Sequence, residues 1–96
     1  MKTKFHKTDH FIYRQWDRGI EDVIIEKVTR KLNAVSKAKS MFVISSQFLK
    51  KAGLKVARKT NLIIFSKGKV LKTLFFVDDL YAYLKSQNGK INTVIL

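Results

Sequence analysis

Between Asn61 and Val77 the chain reads Leu62-Ile63-Ile64-Phe65, then Ser66-Lys67-Gly68-Lys69, then an apolar arm from Val70 to Val77. Two strand-forming arms around Lys67-Gly68 predict an antiparallel hairpin with a tight turn. The second arm is the stronger constraint, because it is apolar on both faces. Val70, Leu74 and Phe76 are expected on one face, Leu71, Phe75 and Val77 on the other. A strand with one wet face alternates polar and apolar residues, so this one predicts a central strand covered on both sides. Lys72 and Thr73 are the exceptions within it. Threonine suits a strand on its own account, and Lys72 either carries its ammonium to the sheet edge or opens onto a cleft.

Two helices are expected before the hairpin. His10, Arg14 and Arg18 recur every four residues in HFIYRQWDRGI, and a step of four drifts only about 40° around a helix, so they share one face. Ile12, Tyr13 and Trp16 fall on the opposite side and form the apolar stripe of an amphipathic helix. Thr8 or Asp9 supplies the N-cap and Gly19 the left-handed C-cap. A second helix is expected from Ile20 to Leu32, with Ile20, Ile24, Val28 and Leu32 along one face and Asp22, Glu26 and Arg30 along the other. Glu26 and Arg30 are spaced for an ion pair, and the short link makes Gly19 a corner.

Asn33 to Ser40 reads as a polar connector and Met41 to Ser45 as a short strand. Ser46 to Ala52 fits either a helical turn closed by Gly53 or part of an irregular hairpin. After the hairpin, Asp78 and Asp79 are expected to cap a short helix from Leu80 to Gln87, with Gly89 beyond its end and Ile91 to Leu96 as a final strand. There is no internal repeat. Ninety-six residues, 46% of them hydrophobic and seven of them Phe, suffice for one domain with a modest core. The expected class is α+β, with residues 1–96 as a single domain.

The formal charge is +13, and it is unevenly spread. From Lys27 to Val77 there is no Asp or Glu, while thirteen Lys and Arg fall in that stretch. An uncompensated field of this kind draws polyanions, with affinities that fall steeply as salt rises. Nucleic acid is the obvious partner class; an acidic protein or an anionic membrane surface would answer the same field. Lys50, Lys51, Lys55, Arg58 and Lys59 cluster around Gly53, where they either track a phosphate backbone or form a solvated loop. Phe48, beside them, is a base-stacking candidate or a core residue. No apolar run approaches the roughly 20 residues of a membrane helix, and the absence of cysteine suits the cytoplasm.

Metal chemistry finds little support. His6 and His10 are four apart, but no Cys or nearby Glu completes a site and His6 precedes the helix cap, so neither a metal nor another cofactor is expected. No serine sits in a nucleophile elbow. RNA cleavage needs less, because the nucleophile is the RNA's own 2′-hydroxyl and the protein has only to orient, move protons and stabilise charge on phosphorus. His10 as acid or base, Arg14 and Arg18 against the phosphate and Thr73 as an orienting hydroxyl would supply those roles.

The pattern His10-x3-Arg14-x3-Arg18-Gly19-Ile20, with Val23 opening the next helix and Gly68-x-Val70-x-x-Thr73 in the hairpin, resembles the small ribonuclease toxins of the RelE and colicin type, over residues 6 to 79. The resemblance implies two N-terminal helices packed on a small curved antiparallel sheet and a basic cleft that cuts RNA without metal. It implies that His10 and Arg14 face the cleft, that Thr73 lies on the strand lining it, and that Arg18 either touches substrate or secures the corner. The early start of the second helix departs from the family pattern, and Leu80 to Leu96 lies outside the match.

The expected function is thus a metal-independent, toxin-like endoribonuclease. Its catalytic residues are His10, Arg14 and Thr73, and its RNA contacts are Arg18, Lys50, Lys51, Lys55, Arg58, Lys59 and Lys72. An acidic antitoxin or immunity protein is the expected second partner, and no membrane partner is expected. The alternative is a non-catalytic basic protein that binds nucleic acid or occupies the nucleic-acid channel of a larger complex.

Overall fold

The computed structural model describes residues 5–30, 39–86 and 92–96. Along the chain these form β1 (His6–Lys7), α1 (Asp9–Asp17), α2 (Asp22–Arg30), β2 (Lys39–Ile44), α3 (Ser46–Ala52), β3 (Asn61–Lys67), β4 (Val70–Val77), α4 (Leu80–Ser86) and β5 (Asn92–Ile95). The class is α+β, as expected. The last turn of the second helix to Leu32, the connector from Asn33 to Ala38, and Gln87, Gly89 and Ile91 lie outside the described residues.

The strands make one sheet in the order β1-β4-β3-β2-β5. Its three central strands are antiparallel neighbours, while β1 runs parallel to β4 and β5 parallel to β2. The sheet is therefore mixed at its edges rather than antiparallel throughout. The reason is local: β1 is two residues long and leads straight into α1, and β5 returns to the sheet after α4, so neither edge is reached by a hairpin.

The hairpin is central and covered on both faces. Phe42, Ile44, Leu62, Ile64, Leu71 and Leu74 pack with Phe11, Ile20, Ile24, Ile25, Val28 and Leu49 from α1, α2 and α3 and the corner between the first two. On the other face Met41, Val43 and Ile63 meet Phe65, Phe75 and Val77, together with Leu80, Tyr83 and Leu84 of α4. Phe75 stacks on Phe65 at 5.8 Å and meets Tyr83 edge-on at 5.6 Å. The turn falls at Gly68-Lys69, one residue later than expected, with Lys67 paired to Val70 and Gly68 at φ 59°.

One irregularity corrects the expected faces of β4. Phe65 pairs with Thr73 but Ser66 pairs with Leu71, so Lys72 is the extra residue of a β-bulge. The bulge interrupts strict alternation. Leu71 consequently joins Leu74 and Phe76 on the face covered by α1, α2 and α3, and only Phe75 and Val77 keep the side covered by α4. The bulge also receives the N-terminal segment: the Thr8 amide donates to the Leu71 carbonyl and the Thr8 hydroxyl to that of Lys72. Thr8 in turn caps α1, accepting from the Phe11 amide.

A second correction concerns the face that α1 buries. Ile12, Tyr13 and Trp16, expected as its core stripe, are 51%, 63% and 78% exposed. The buried residues are Phe11 and Gln15, which stand on the arc between the expected polar and apolar stripes. Gln15 answers the polarity of its position by donating to the Ile20 carbonyl at 2.9 Å and to Asp22 Oδ1 at 2.7 Å. Lys7 pairs with the same Asp22 oxygen, the one ion pair among the described residues; the expected Glu26–Arg30 pair is not formed there. Gly19, at φ 67°, closes α1 in the left-handed conformation that glycine adopts without steric cost. Among the described residues no helix is long and apolar enough to cross a membrane.

Candidate nucleic-acid interface

The segment from α3 to the start of β3 resolves into a helix followed by an anchored loop. Ser45 caps α3 by accepting from the Phe48 amide, and Gly53 at φ 106° ends it, deciding for the helix over the irregular hairpin. Leu49 and Ala52 are buried, and Phe48 packs half-buried against the core, so Lys50 and Lys51 are left on the outer face. They stand in the last turn, where the helix dipole favours cations. Lys27 of α2 adds a third, donating to the Ala52 carbonyl at 3.2 Å. Sequence spacing does not bring Lys27 to this cluster, since it is 25 residues from Ala52 and arrives through the packing of α2 on α3.

The loop that follows is held at several points. Leu54 donates its amide to the Leu49 carbonyl, Ser46 Oγ donates to the Arg58 carbonyl at 2.6 Å, and Thr60 donates its amide to the Ala57 carbonyl and its hydroxyl to Asp78 at 2.8 Å. Leu54 and Val56 turn toward the core while Lys55, Arg58 and Lys59 are exposed. Apolar side chains thus anchor the backbone while the cations project outward. None of the five expected cations makes an ion pair among the described residues. The carboxylates that follow the loop in sequence each accept a hydrogen bond, Asp78 from Thr60 and Asp79 from the Ala82 amide at the start of α4. Lys59, Asn61, Asp78, Asp79 and Leu80 line an open pocket of about 570 Å³ beside this surface.

The other expected site residues fall into two further places. His10 is exposed in the first turn of α1, Arg14 is half-buried one turn later, and Arg18 is exposed just past the helix end. Arg18 gives its backbone to the cap, bonding the Arg14 carbonyl, but the side chain that pins the corner is Gln15. Lys72 is exposed on the bulge whose carbonyl binds Thr8, so its backbone adjoins the N-terminus of α1. About 15 Å of strand separates this point from the β3 start, at roughly 3.3 Å per residue.

Thr73 is placed apart from all of these. It pairs with Phe65, on the face covered by α4, whereas Leu74 beside it packs in the cluster that contains Phe11 of α1. Successive strand residues point to opposite faces. His10 and Arg14 therefore stand on one side of the sheet and Thr73 on the other. The expected catalytic set is brought together only in part: His10 and Arg14, with Lys72 at the same end of α1. The alternating polarity of β4 carried the signal for Thr73, but its direction depended on which arm α1 covers.

Asp22 is the group at the corner whose acidity the structure changes. The hydrogen bond from Lys7 first, then that from Gln15 and the Lys7 charge, hold its carboxyl below the ordinary value of 3.8. Burial pushes the Tyr83 hydroxyl above its ordinary value of 10.0, on the face away from the basic surface. No family model, no curated protein and no solved structure matches this chain.

Proposed function

We propose that the protein binds RNA through the surface formed by Lys50, Lys51, Lys55, Arg58 and Lys59, with Lys27 beside them. The observation that carries this reading is that five cations project together from a helix end and an anchored loop, and none of them is paired with a carboxylate among the described residues. Anchoring lowers the ordering cost on binding, and unpaired cations release the counterions of the nucleic acid without first breaking an ion pair. The surface is positioned to grip phosphates. Phe48 is committed to the core, so the basic end offers charge rather than stacking on that ring.

A second reading, metal-independent cleavage, is supported by His10 and Arg14 lying one turn apart on α1 with Lys72 adjoining its start. In that reading His10 takes the 2′-hydroxyl proton as the oxygen attacks phosphorus, the P–O5′ bond breaks and the departing 5′-oxygen takes a proton from water, while Arg14 and Lys72 neutralise the phosphate as a 2′,3′-cyclic product forms. Thr73 has no part in it. An acidic antitoxin or immunity protein is the protein partner that the Lys50–Lys59 surface would accept, and it would compete with RNA.

One experiment separates these readings. Purified protein is incubated with labelled RNA in EDTA, beside a His10→Ala, Arg14→Ala variant and one with all five loop and helix cations changed to alanine. Binding retained by the first variant, lost by the second and leaving RNA intact supports binding alone. Cyclic-phosphate ends that disappear in the first variant establish cleavage. Equal RNA affinity in the five-cation variant overturns the proposed surface.

A further inference from the structure

Exposed apolar side chains occur on α4 at Tyr81 and on β5 at Val94 and Ile95, but among the described residues α1 gathers the most of them on one element. Ile12, Tyr13 and Trp16 follow one another along its solvent side, and Val23, 44% exposed, comes just after the Gly19 corner. Tyrosine and tryptophan each bring about 150–250 Å² of side-chain surface, so the exposed portions of Ile12, Tyr13 and Trp16 amount to roughly 400 Å², in the range where a monomer's largest apolar patch is often functional. That is enough for the apolar centre of an interface of about 800 Å² per partner, with a polar rim supplying the remainder.

The charge around this patch decides among its occupants. From Lys7 to Glu26 the chain holds Asp9, Asp17, Glu21, Asp22 and Glu26 against Lys7, Arg14 and Arg18, five carboxylates to three cations with Lys7 paired to Asp22, in a chain of net charge +13. A polyanion or an anionic bilayer that faces Ile12, Tyr13 and Trp16 meets Asp9 and Asp17 beside them, whereas His10 and Arg14 stand on another arc of α1 and the acid-free basic span lies beyond it. A second copy meets the opposite situation. Over Lys27 to Val77 every charge is positive and two copies repel, whereas the α1 surface carries both signs beside its apolar residues. A two-fold contact can set the acids of one copy near the arginines of the other, as a self-complementary interface requires.

We propose that α1 is a homodimer interface in which Ile12, Tyr13 and Trp16 of one copy cover those of a second, leaving the two basic surfaces free. It does not depend on the RNA-binding reading. Its salt response is also opposite in sign: salt screens the repulsion between two highly positive copies and strengthens apolar contact, while it weakens RNA binding.

Trp16 is the only tryptophan, so its fluorescence reports on this surface alone. The expected result is a molar mass that rises toward twice the monomer value between low micromolar and millimolar protein, with a parallel blue shift of emission, both retained or enhanced in high salt. Ile12→Glu with Tyr13→Ser should remove both changes, and Tyr81→Glu, at an exposed aromatic on α4, should leave them. A wild-type protein that stays monomeric with solvent-exposed Trp16 emission throughout the range overturns the proposal. So does a blue shift that appears only on adding RNA or anionic vesicles to monomeric protein.

Discussion

If the Lys50–Lys59 surface holds RNA phosphates, its salt dependence has a size that follows from the structure. The surface has five exposed cations without a carboxylate partner among the described residues, Lys27 being left out of the count because its ammonium is bound to the Ala52 carbonyl, and each that meets a phosphate of single-stranded RNA contributes about 0.7 to the slope of log affinity against log salt. The expected slope is about −3.5, a loss of affinity of roughly 100-fold between about 50 and 200 mM salt. Changing Lys55, Arg58 and Lys59 to alanine leaves Lys50 and Lys51, so the slope should fall to about −1.4 and the loss over the same range to roughly 7-fold. Fluorescence anisotropy with a short labelled RNA, titrated at several salt concentrations, measures both. A slope in the triple variant equal to that of the wild type would show that these cations do not contact phosphate, even if absolute affinity fell through the loss of net charge. The distinction matters because distant charges steer association through a screened field, whereas the slope counts the counterions displaced where the chains touch.

Gln15→Ala removes the two hydrogen bonds that pin the α1–α2 corner, one of them to a carboxylate, and is expected to cost about 2–3 kcal/mol; an unchanged urea midpoint would show that the Gly19 cap holds the corner alone. Ser66 Oγ is buried at the bulge with no hydrogen-bond partner among the described residues, so Ser66→Ala should raise stability by about 1 kcal/mol, and a loss of that size would reveal a partner for the hydroxyl. Because the Asp22 carboxyl is depressed in the folded state, its stabilising effect is present above 3.8 and fades as pH falls through the lower folded value. The stability gap between wild type and Lys7→Ala should therefore be small but measurable near neutral pH, Asp22 being largely exposed, and should close well below 3.8. A gap independent of pH would exclude the Lys7–Asp22 pair as its source.

The elements that were legible in the sequence are those set by local chemistry. Thr8, Gly19 and Asp79 each stand at a helix end because a side-chain oxygen or a left-handed glycine satisfies terminal backbone groups, whereas Gly53 suits a helix end or an irregular hairpin equally, and the Ser45 cap decides for the helix. The hairpin was legible because few arrangements suit an apolar arm of that length. The orientation of α1 was not. Periodicity fixes angles between residues on a helix but not which arc meets the core, and Phe11 and Gln15 belonged to neither expected stripe. The parallel edge strand β1 is too short to carry a period. For the site, the loop cations were readable as charge, but the packing that adds Lys27 and removes Phe48 was not.

The placement of Thr73 follows from the core more strictly than from the bulge beside it. Leu74 is fully buried with Phe11 on the side covered by α1, so its neighbour Thr73 must face α4 whether or not Lys72 is accommodated as an extra residue. What the bulge changes is Leu71. In a regular strand Leu71 would share the side of Thr73, and the helix-covered core would lose a fully buried leucine; the extra residue returns it to Leu74 and leaves the Lys72 carbonyl for the Thr8 hydroxyl. A cleft shared by His10 and Thr73 would require Leu74 to leave the cluster that holds α1 on the sheet, and with it the packing that fixes His10. The same contact that positions the histidine excludes the threonine, which is why any chemistry on α1 must draw its further groups from Arg14, Arg18 and the bulge at Lys72.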